Sequence, residues 1–197
     1  MRVVDLSQIV SEIQARPPLA GTRMVGIDGP AGSGKSTLAR RIARLLAAPI
    51  VTTDDFLSWA DLDTWWPRFE SDVLQPLFDQ RDARYQVRDW HGDPEGTSVD
   101  RWKTVTWAPV IVVEGVTSTR RQLADRLAYR IWVEAPDDLR LERGLARDGE
   151  YWLRHWVDWL RMESEFFTVD GARQRADLIV DGNPATPHDA ESQVVTR

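Results

Sequence analysis

Apolar and polar positions recur along this chain with two different periods, and the switches between them mark its elements. Leu6, Ile9, Val10 and Ile13 fall at helical spacing over residues 5–15, and Pro17 and Pro18 stop that helix. Met24 to Asp28 is a short apolar run that reads as a buried strand. The helical period returns from about Lys35 to Ala47, with Leu38, Ile42, Leu45 and Leu46 on one face. Arg40, Arg41 and Arg44 lie on the other face and read as solvated. Pro49 to Thr53 is a second strand. Residues 57–82 are helical in part, carried by Trp66, Phe69, Val73, Leu74, Leu77 and Phe78, with Pro67 and Pro76 breaking or kinking the pattern. Residues 83–108, with Gly92, Pro94 and Gly96, read as a polar, irregular insertion.

The second half repeats the alternation. Val110 to Val113 is an unbroken β-branched run, hence a fully buried strand, and Tyr129 to Glu134 is another. Pro136 and Asp137 open a helix that Asp148-Gly149 ends; it sets Leu139, Leu141 and Leu145 among Arg140, Arg143 and Arg147. A helix of about Glu150 to Phe167 spaces Trp152, Trp156, Trp159 and Leu160 on one face, and Ala176 to Val180 is the last strand. From Asn183 onward, Pro184, Pro187 and few apolar residues predict a loosely held tail, 183–197. Five strands alternating with helices predict a three-layer α/β fold: a five-stranded parallel sheet with helices on both faces. A chain of 197 residues fits one domain, 1–197, and shows no internal repeat.

Composition narrows the partners. The chain is 42% hydrophobic and 28% charged, with net charge −6 and pI near 5.1. That balance argues against a broad nucleic-acid or anionic-membrane surface. The absence of Cys excludes disulfides, thiolate metal sites and a Cys nucleophile. No apolar run approaches a membrane span. Asp5, Gln8 and Glu12 interrupt any secretory apolar core, so a cytoplasmic location is expected. His91, His155 and His188 are scattered without metal spacing and read as surface or loop residues.

The candidate chemistry sits where strands end. Gly29 to Ser36 match G-x-x-x-x-G-K-[ST] at every fixed position, between an apolar strand and an amphipathic helix. Backbone N–H groups from Gly29, Pro30, Ala31, Gly32, Ser33, Gly34, Lys35, Ser36 and Thr37 (Pro30 excepted) are the pool from which such a loop rings a phosphate. The glycines permit the backbone angles, and the helix N-terminus adds its positive end. Lys35 would reach the β and γ phosphates, and Ser36 would offer its hydroxyl to Mg²⁺. Asp54-Asp55-Phe56 ends the second strand, where ligands bind in open parallel sheets, although an Asp there can equally cap a helix. Glu114-Gly115 ends the buried strand at the usual place for a second Mg²⁺ contact. Arg143 and Arg147 share a helix face. Of the ten Trp residues, Trp152, Trp156 and Trp159 read as core, whereas Trp59, Trp65, Trp66 and Trp90 lie near the proposed acceptor end, where a planar base can stack.

With these motifs in hand, the chain resembles a uridine kinase-like member of the small P-loop kinases, the group that includes nucleoside, pantothenate and phosphoribulose kinases. The likeness covers roughly residues 22–182 and rests on the loop Gly29–Ser36, on Asp54-Asp55-Phe56 (similar to Asp-x-Phe), on Val112-Val113-Glu114-Gly115 and on the arginine-rich stretch Arg143–Asp148. The resemblance implies a P-loop NTPase fold with a small arginine-bearing helical lid at about 140–152 and a substrate-side insertion at about 57–108. It implies that Asp54 takes the proton of the attacking hydroxyl, with Asp55 the alternative base or a helper at the metal, that Glu114 orders Mg²⁺ through water, and that Arg143 and Arg147 close over the transferring phosphate. Tyr85 to Trp90 resembles a nucleoside-contacting Tyr-Asp segment, with Asp89 as hydroxyl partner and Phe56, Trp66, Tyr85 and Trp90 beside the substrate. Arg88 stands where a Tyr is expected, and an arginine there favours an anionic acceptor.

The function implied is an ATP- and Mg²⁺-dependent phosphotransferase acting on a hydroxyl of a small, nucleoside-like molecule. Two alternatives stay open: an ATP-driven regulatory switch, and a kinase for a non-nucleoside acceptor such as pantothenate or a sugar. A GTP-specific switch needs Asn-Lys-x-Asp, and the sole Asn is Asn183, followed by Pro184. Homo-oligomerisation is left open.

Overall fold

The computed structural model describes residues 1–60, 62–93, 96 and 98–197. In chain order it runs β1 (Arg2–Asp5), α1 (Leu6–Ala15), β2 (Arg23–Asp28), α2 (Lys35–Leu46), β3 (Ile50–Thr52) and a 3₁₀ turn, Thr53–Asp55. Then come α3 (Trp66–Phe69), a π-helical segment Glu70–Leu74, α4 (Gln75–Phe78), β4 (Ala83–Arg88) and β5 (Val99–Val105). The remainder is β6 (Val110–Glu114), α5 (Arg121–Ala124), β7 (Tyr129–Glu134), α6 (Asp137–Asp148), a 3₁₀ turn Glu150–Trp152, α7 (Leu153–Asp170), α8 (Ala172–Arg175), β8 (Leu178–Asp181) and β9 (Gln193–Thr196).

The central sheet has the order β1-β9-β8-β7-β2-β6-β3. Strands β8, β7, β2, β6 and β3 are mutually parallel. Their β-branched sequences are buried on both faces, as a parallel sheet with helical cover requires. Side chains alternate between the two faces: Met24, Ile111 and Val113 pack with Phe56, Phe69, Leu74 and Trp159. Val25, Ile27, Val112, Ile131 and Val133 pack instead against Ile9 and Ile13 of α1 and Leu38 and Ile42 of α2. Strand β2 leads through α2 to β3, and β6 then fills the place between them, while β7 and β8 lie beyond β2 on its other side. The carboxyl end of β2 is therefore a topological switch point, where open α/β sheets place their ligands.

Four expectations are corrected. The sheet has seven strands, because both chain ends join it: β9 pairs antiparallel with β1 and with β8. The expected loose tail is thus held at 193–196, with Val194 and Val195 buried. A four-residue strand is too short for a periodic signal, and its partner lies at the opposite terminus. The polar insertion contains an antiparallel hairpin, β4–β5, with a bulge between Gln86 and Arg88. Ala83, Tyr85 and Val87 alternate inward, a period of two that the neighbouring charges obscured. Pro67 and Pro76 do distort the pattern as expected: Pro67 sits in the first turn of α3, where its missing N–H is tolerated, and Pro76 lies in the helical turn that follows directly on the π-helical segment Glu70–Leu74. The widened π turn just before Pro76 absorbs the lost hydrogen bond. The helix expected from Glu150 begins with a 3₁₀ turn and extends to Asp170.

Candidate functional site

The loop after β2 is made by glycines in backbone angles that a side chain resists: Gly29, Gly32 and Gly34 have φ of 143°, 77° and 100°. At Gly29 a Cβ would also lie 2.0 Å from the Val133 carbonyl oxygen of β7. Gly29→Ala is expected to cost about 3 kcal/mol or more, a fall of about 6–12 °C in thermal midpoint that a calorimetric scan would measure. Among the described residues, the N–H groups of Gly32, Gly34, Lys35 and Ser36 meet no protein acceptor. Unpartnered donors at a glycine turn and helix start form an anion site. Lys35 is 7% exposed, and its Nζ donates to the Pro30 carbonyl at 3.4 Å.

The hydroxyl of Ser36 donates to Oε2 of Glu114, at the end of β6, at 2.9 Å. Burial pushes the Glu114 carboxyl above its ordinary range and the charge of Asp54 adds to this, while Lys35, Ser36 and Thr52 pull it down. A carboxylate so placed gains from a cation, and a hydroxyl with a carboxylate is a hard-oxygen pair that suits Mg²⁺. Among the described residues no group of three or more His, Cys, Asp or Glu is placed to hold a metal ion. The chain leaves β6 at Gly115 (φ 127°), where a Cβ would lie 2.1 Å from Thr53 Oγ1. This close approach brings the Asp54 turn beside Glu114.

Asp28 supports the loop, a part sequence reasoning did not assign. It is fully buried and accepts N–H bonds from Gly29, Thr117 and Thr119 and the Thr119 hydroxyl. Burial nevertheless pushes its carboxyl up, from 3.8 to about 6. Between these values the folded chain holds a proton that the unfolded chain has lost. This group's contribution therefore falls as pH rises from about 4 to 6.5, by roughly 3 kcal/mol. Asp28→Asn cannot titrate, so its cost relative to the parent is expected to be largest near pH 4 and to shrink towards neutrality. Urea unfolding at a series of pH values checks this.

The two acids after β3 part company. Asp54 is exposed and lines a chamber of about 810 Å³ together with Lys35, Ser36 and Thr37. Asp55 points elsewhere: its Oδ2 accepts from the Tyr85 hydroxyl at 2.9 Å and from Lys103 Nζ at 2.7 Å. Phe56 is core, packed on Phe69 and Tyr85. Tyr85 is buried, and burial with the neighbouring Asp55 raises its pKa. Asp89 closes its own turn, accepting from the N–H groups of His91 and Gly92. Trp66 packs on Trp65 and Phe69 and lies beneath the Arg120 guanidinium. Asp55, Phe56, Trp66, Tyr85 and Asp89, expected beside the substrate, are thus engaged with the protein and do not line the chamber. Arg88 is buried as well, donating to the carbonyls of Asp89, Ser98 and Asp93. It does not line the chamber itself, although its guanidinium lies over the Trp90 ring.

Trp90 does line the chamber, and its Nε1 donates to the Asp54 carbonyl at 2.7 Å. Trp59, His91, Trp152, Trp156 and Trp159 line it too. Trp59 is the hub, meeting Trp90, Trp156 and Trp159 edge-to-face and Trp152 stacked, within ring-centre distances of 5.5–6.0 Å. Trp156 and Trp159 are buried, so one helix face serves as core and wall at once. His155 packs against Trp59 and Trp152, and His188 lines a second cavity of about 340 Å³. The two cavities share Gly34, Thr37 and Arg143. Arg143 donates to the carbonyls of Gly32 and Gly182, both at 3.1 Å. Arg147 pairs with Asp148 at 2.7 and 2.9 Å. Both arginines, with Ala31, Gly32 and Gly34, border the larger chamber, whereas Ser33 is buried and borders the smaller.

Comparison with known proteins agrees with this arrangement. The model of the AAA domain family matches residues 25–152. A uridine kinase from Schizosaccharomyces pombe is 24% identical over 167 residues, covering 76% of this chain and 37% of that protein, so the chain spans little more than a third of that relative's length. Among solved structures, a possible uridine kinase from Bacillus stearothermophilus matches with a TM-score of 0.65 at 18% identity, covering 88% of this chain and 96% of the other. A candidate fructose transport system kinase from Silicibacter sp. TM1040 matches with a TM-score of 0.60 at 19% identity, covering 82% and 95%. The resemblance carried by the motifs is thereby borne out, and the chain, with the fold of the P-loop kinases, belongs to the AAA domain family.

Proposed function

We propose that the protein is an ATP-dependent kinase that transfers the γ-phosphoryl group to a hydroxyl of a small, nucleoside-like molecule. The observation that carries this reading is the placement of Asp54 in the same chamber wall as Lys35 and Ser36, beside a bank of tryptophans. The triphosphate lies on the loop N–H groups. The donor base takes the smaller cavity and the acceptor the larger, since the two meet at Gly34, Thr37 and Arg143. The Asp54 carboxylate receives the proton of the acceptor hydroxyl as its oxygen bonds to the γ-phosphorus, and the bond to the β-phosphate oxygen breaks, releasing ADP. Lys35, Arg143 and Arg147 neutralise the phosphoryl oxygens. Ser36 and Glu114 would hold Mg²⁺, which when bound supplies further neutralisation.

In this reading the chain works as one kinase domain, in the cytoplasm where ATP is plentiful. Residues about 140–152 are the lid and 57–108 the acceptor side. The aromatic wall favours a planar, uncharged acceptor. Incubation with Mg-ATP and a panel of nucleosides, pantothenate and sugars tests the proposal. At least one acceptor is expected to raise ADP formation above background, and a panel without any such acceptor overturns it.

A further inference from the structure

Helices α6 and α7 meet the phosphate loop through a buried ion pair that the proposed reaction does not use. Arg140 and Glu163 are 4% and 1% exposed and contact each other directly. Glu163 Oε2 accepts the Ala31 N–H at 2.8 Å. Arg140 Nη1 donates to the Ala31 carbonyl at 3.0 Å as well as to Glu163, and its Nη2 meets Asp137 at 2.8 Å. Both backbone polar groups of one loop residue are thus held by one pair, drawn from two helices. Burying two charges is costly, and such a pair is weak grounds for stability in itself, so its geometry calls for another account.

That account follows from the peptide plane. A trans peptide points its N–H and its C=O in opposite directions. Holding the Ala31 N–H on Glu163 turns the Pro30 carbonyl the other way, where Lys35 Nζ donates to it. Holding the Ala31 carbonyl on Arg140 turns the Gly32 N–H away from α6, into the set of unpartnered loop donors. We infer that Glu163 and Arg140 are positioning residues for the nucleotide site, orienting two successive peptide planes so that the Lys35 ammonium and the Gly32 N–H both face the phosphates. This rests on the reading of the loop as a nucleotide site. Because α7 also carries Trp156 and Trp159 in the chamber wall, the helix that bounds the acceptor end also sets the donor loop.

The test uses the full chain and Mg-ATP as probe, with binding measured by titration calorimetry and thermal midpoints recorded alongside. The variants are E163Q and the double substitution R140M/E163M. The double substitution removes both charges while roughly keeping volume, a swap that buried pairs tolerate. It is expected to melt within about 5 °C of the parent yet bind Mg-ATP roughly tenfold or more weakly. E163Q keeps an acceptor for the Ala31 N–H and is expected to fall between. A folded double variant that binds like the parent overturns the inference, since a merely structural pair would give that result. Should the double variant fail to fold, E163Q decides: weaker binding supports the inference and unchanged binding overturns it. A parent protein that binds no Mg-ATP removes the nucleotide reading and this inference together, whereas parent binding with unaltered variants removes only the role of the pair.

Discussion

Lys35→Ala is expected to weaken Mg-ATP binding about 10- to 100-fold and to lower turnover by a further 10²–10³-fold or so. The ammonium is nearly buried at the start of α2 and, within the loop, it touches the Pro30 carbonyl. Among the described residues, Arg40, Arg143 and Arg147 also border the chamber, but each lies further along α2 or on α6, and none replaces an ammonium inside the loop. Alanine removes a point charge that holds the phosphates in the ground state and acts more strongly on the charge that develops in the transition state, so both the dissociation constant and kcat suffer. Calorimetry for binding and coupled ADP release for turnover separate the two. The fold should persist, because alanine is a good helix former and the core does not rest on this side chain. A Lys35→Ala protein that binds and turns over as the parent does would remove the loop from the reaction.

Asp54→Asn is expected to leave Mg-ATP binding within about threefold of the parent and to lower kcat by about 10²–10⁴-fold, the range for loss of a general base. Asparagine keeps the shape of the side chain and cannot take the proton. The neighbouring substitution provides the control. Asp55→Asn removes the negative charge that faces the Tyr85 hydroxyl and pairs with Lys103, so it should cost about 1–3 kcal/mol of stability with a fall in kcat of less than about tenfold. Steady-state kinetics and urea unfolding on both variants distinguish the roles. A deeper loss of kcat in Asp55→Asn than in Asp54→Asn would transfer the base to Asp55.

How far the site was legible varies residue by residue. The loop from Gly29 to Ser36 was readable because its requirements are local: glycine angles, a preceding strand and a following helix within one short stretch. The contact of Ser36 with Glu114 was readable too, since strand ends in a parallel sheet converge on one edge. Asp54 and Asp55 could not be told apart, because their fates depend on Tyr85 and Lys103, 30 and 48 residues away from Asp55 in the chain. Arg88 looked like a substrate-reading charge until the β4–β5 hairpin turned it onto its own backbone carbonyls. Trp156 and Trp159 carried the correct helical period for a core, whereas Trp152, also read as core, is half-buried in the 3₁₀ turn before α7; period alone says nothing of a cavity beside these rings.

By itself, the order of residues determined the alternation of strands and helices, the parallel core of the sheet and the phosphate loop at its switch point, since each follows from local periodicity and glycine geometry. Only the folded chain decided which acid faces the chamber, that the two termini pair as β1 and β9, and that Arg140 and Glu163 converge on Ala31. Those outcomes depend on partners far apart in sequence, brought together when the faces of the sheet are covered, and no local pattern encodes them.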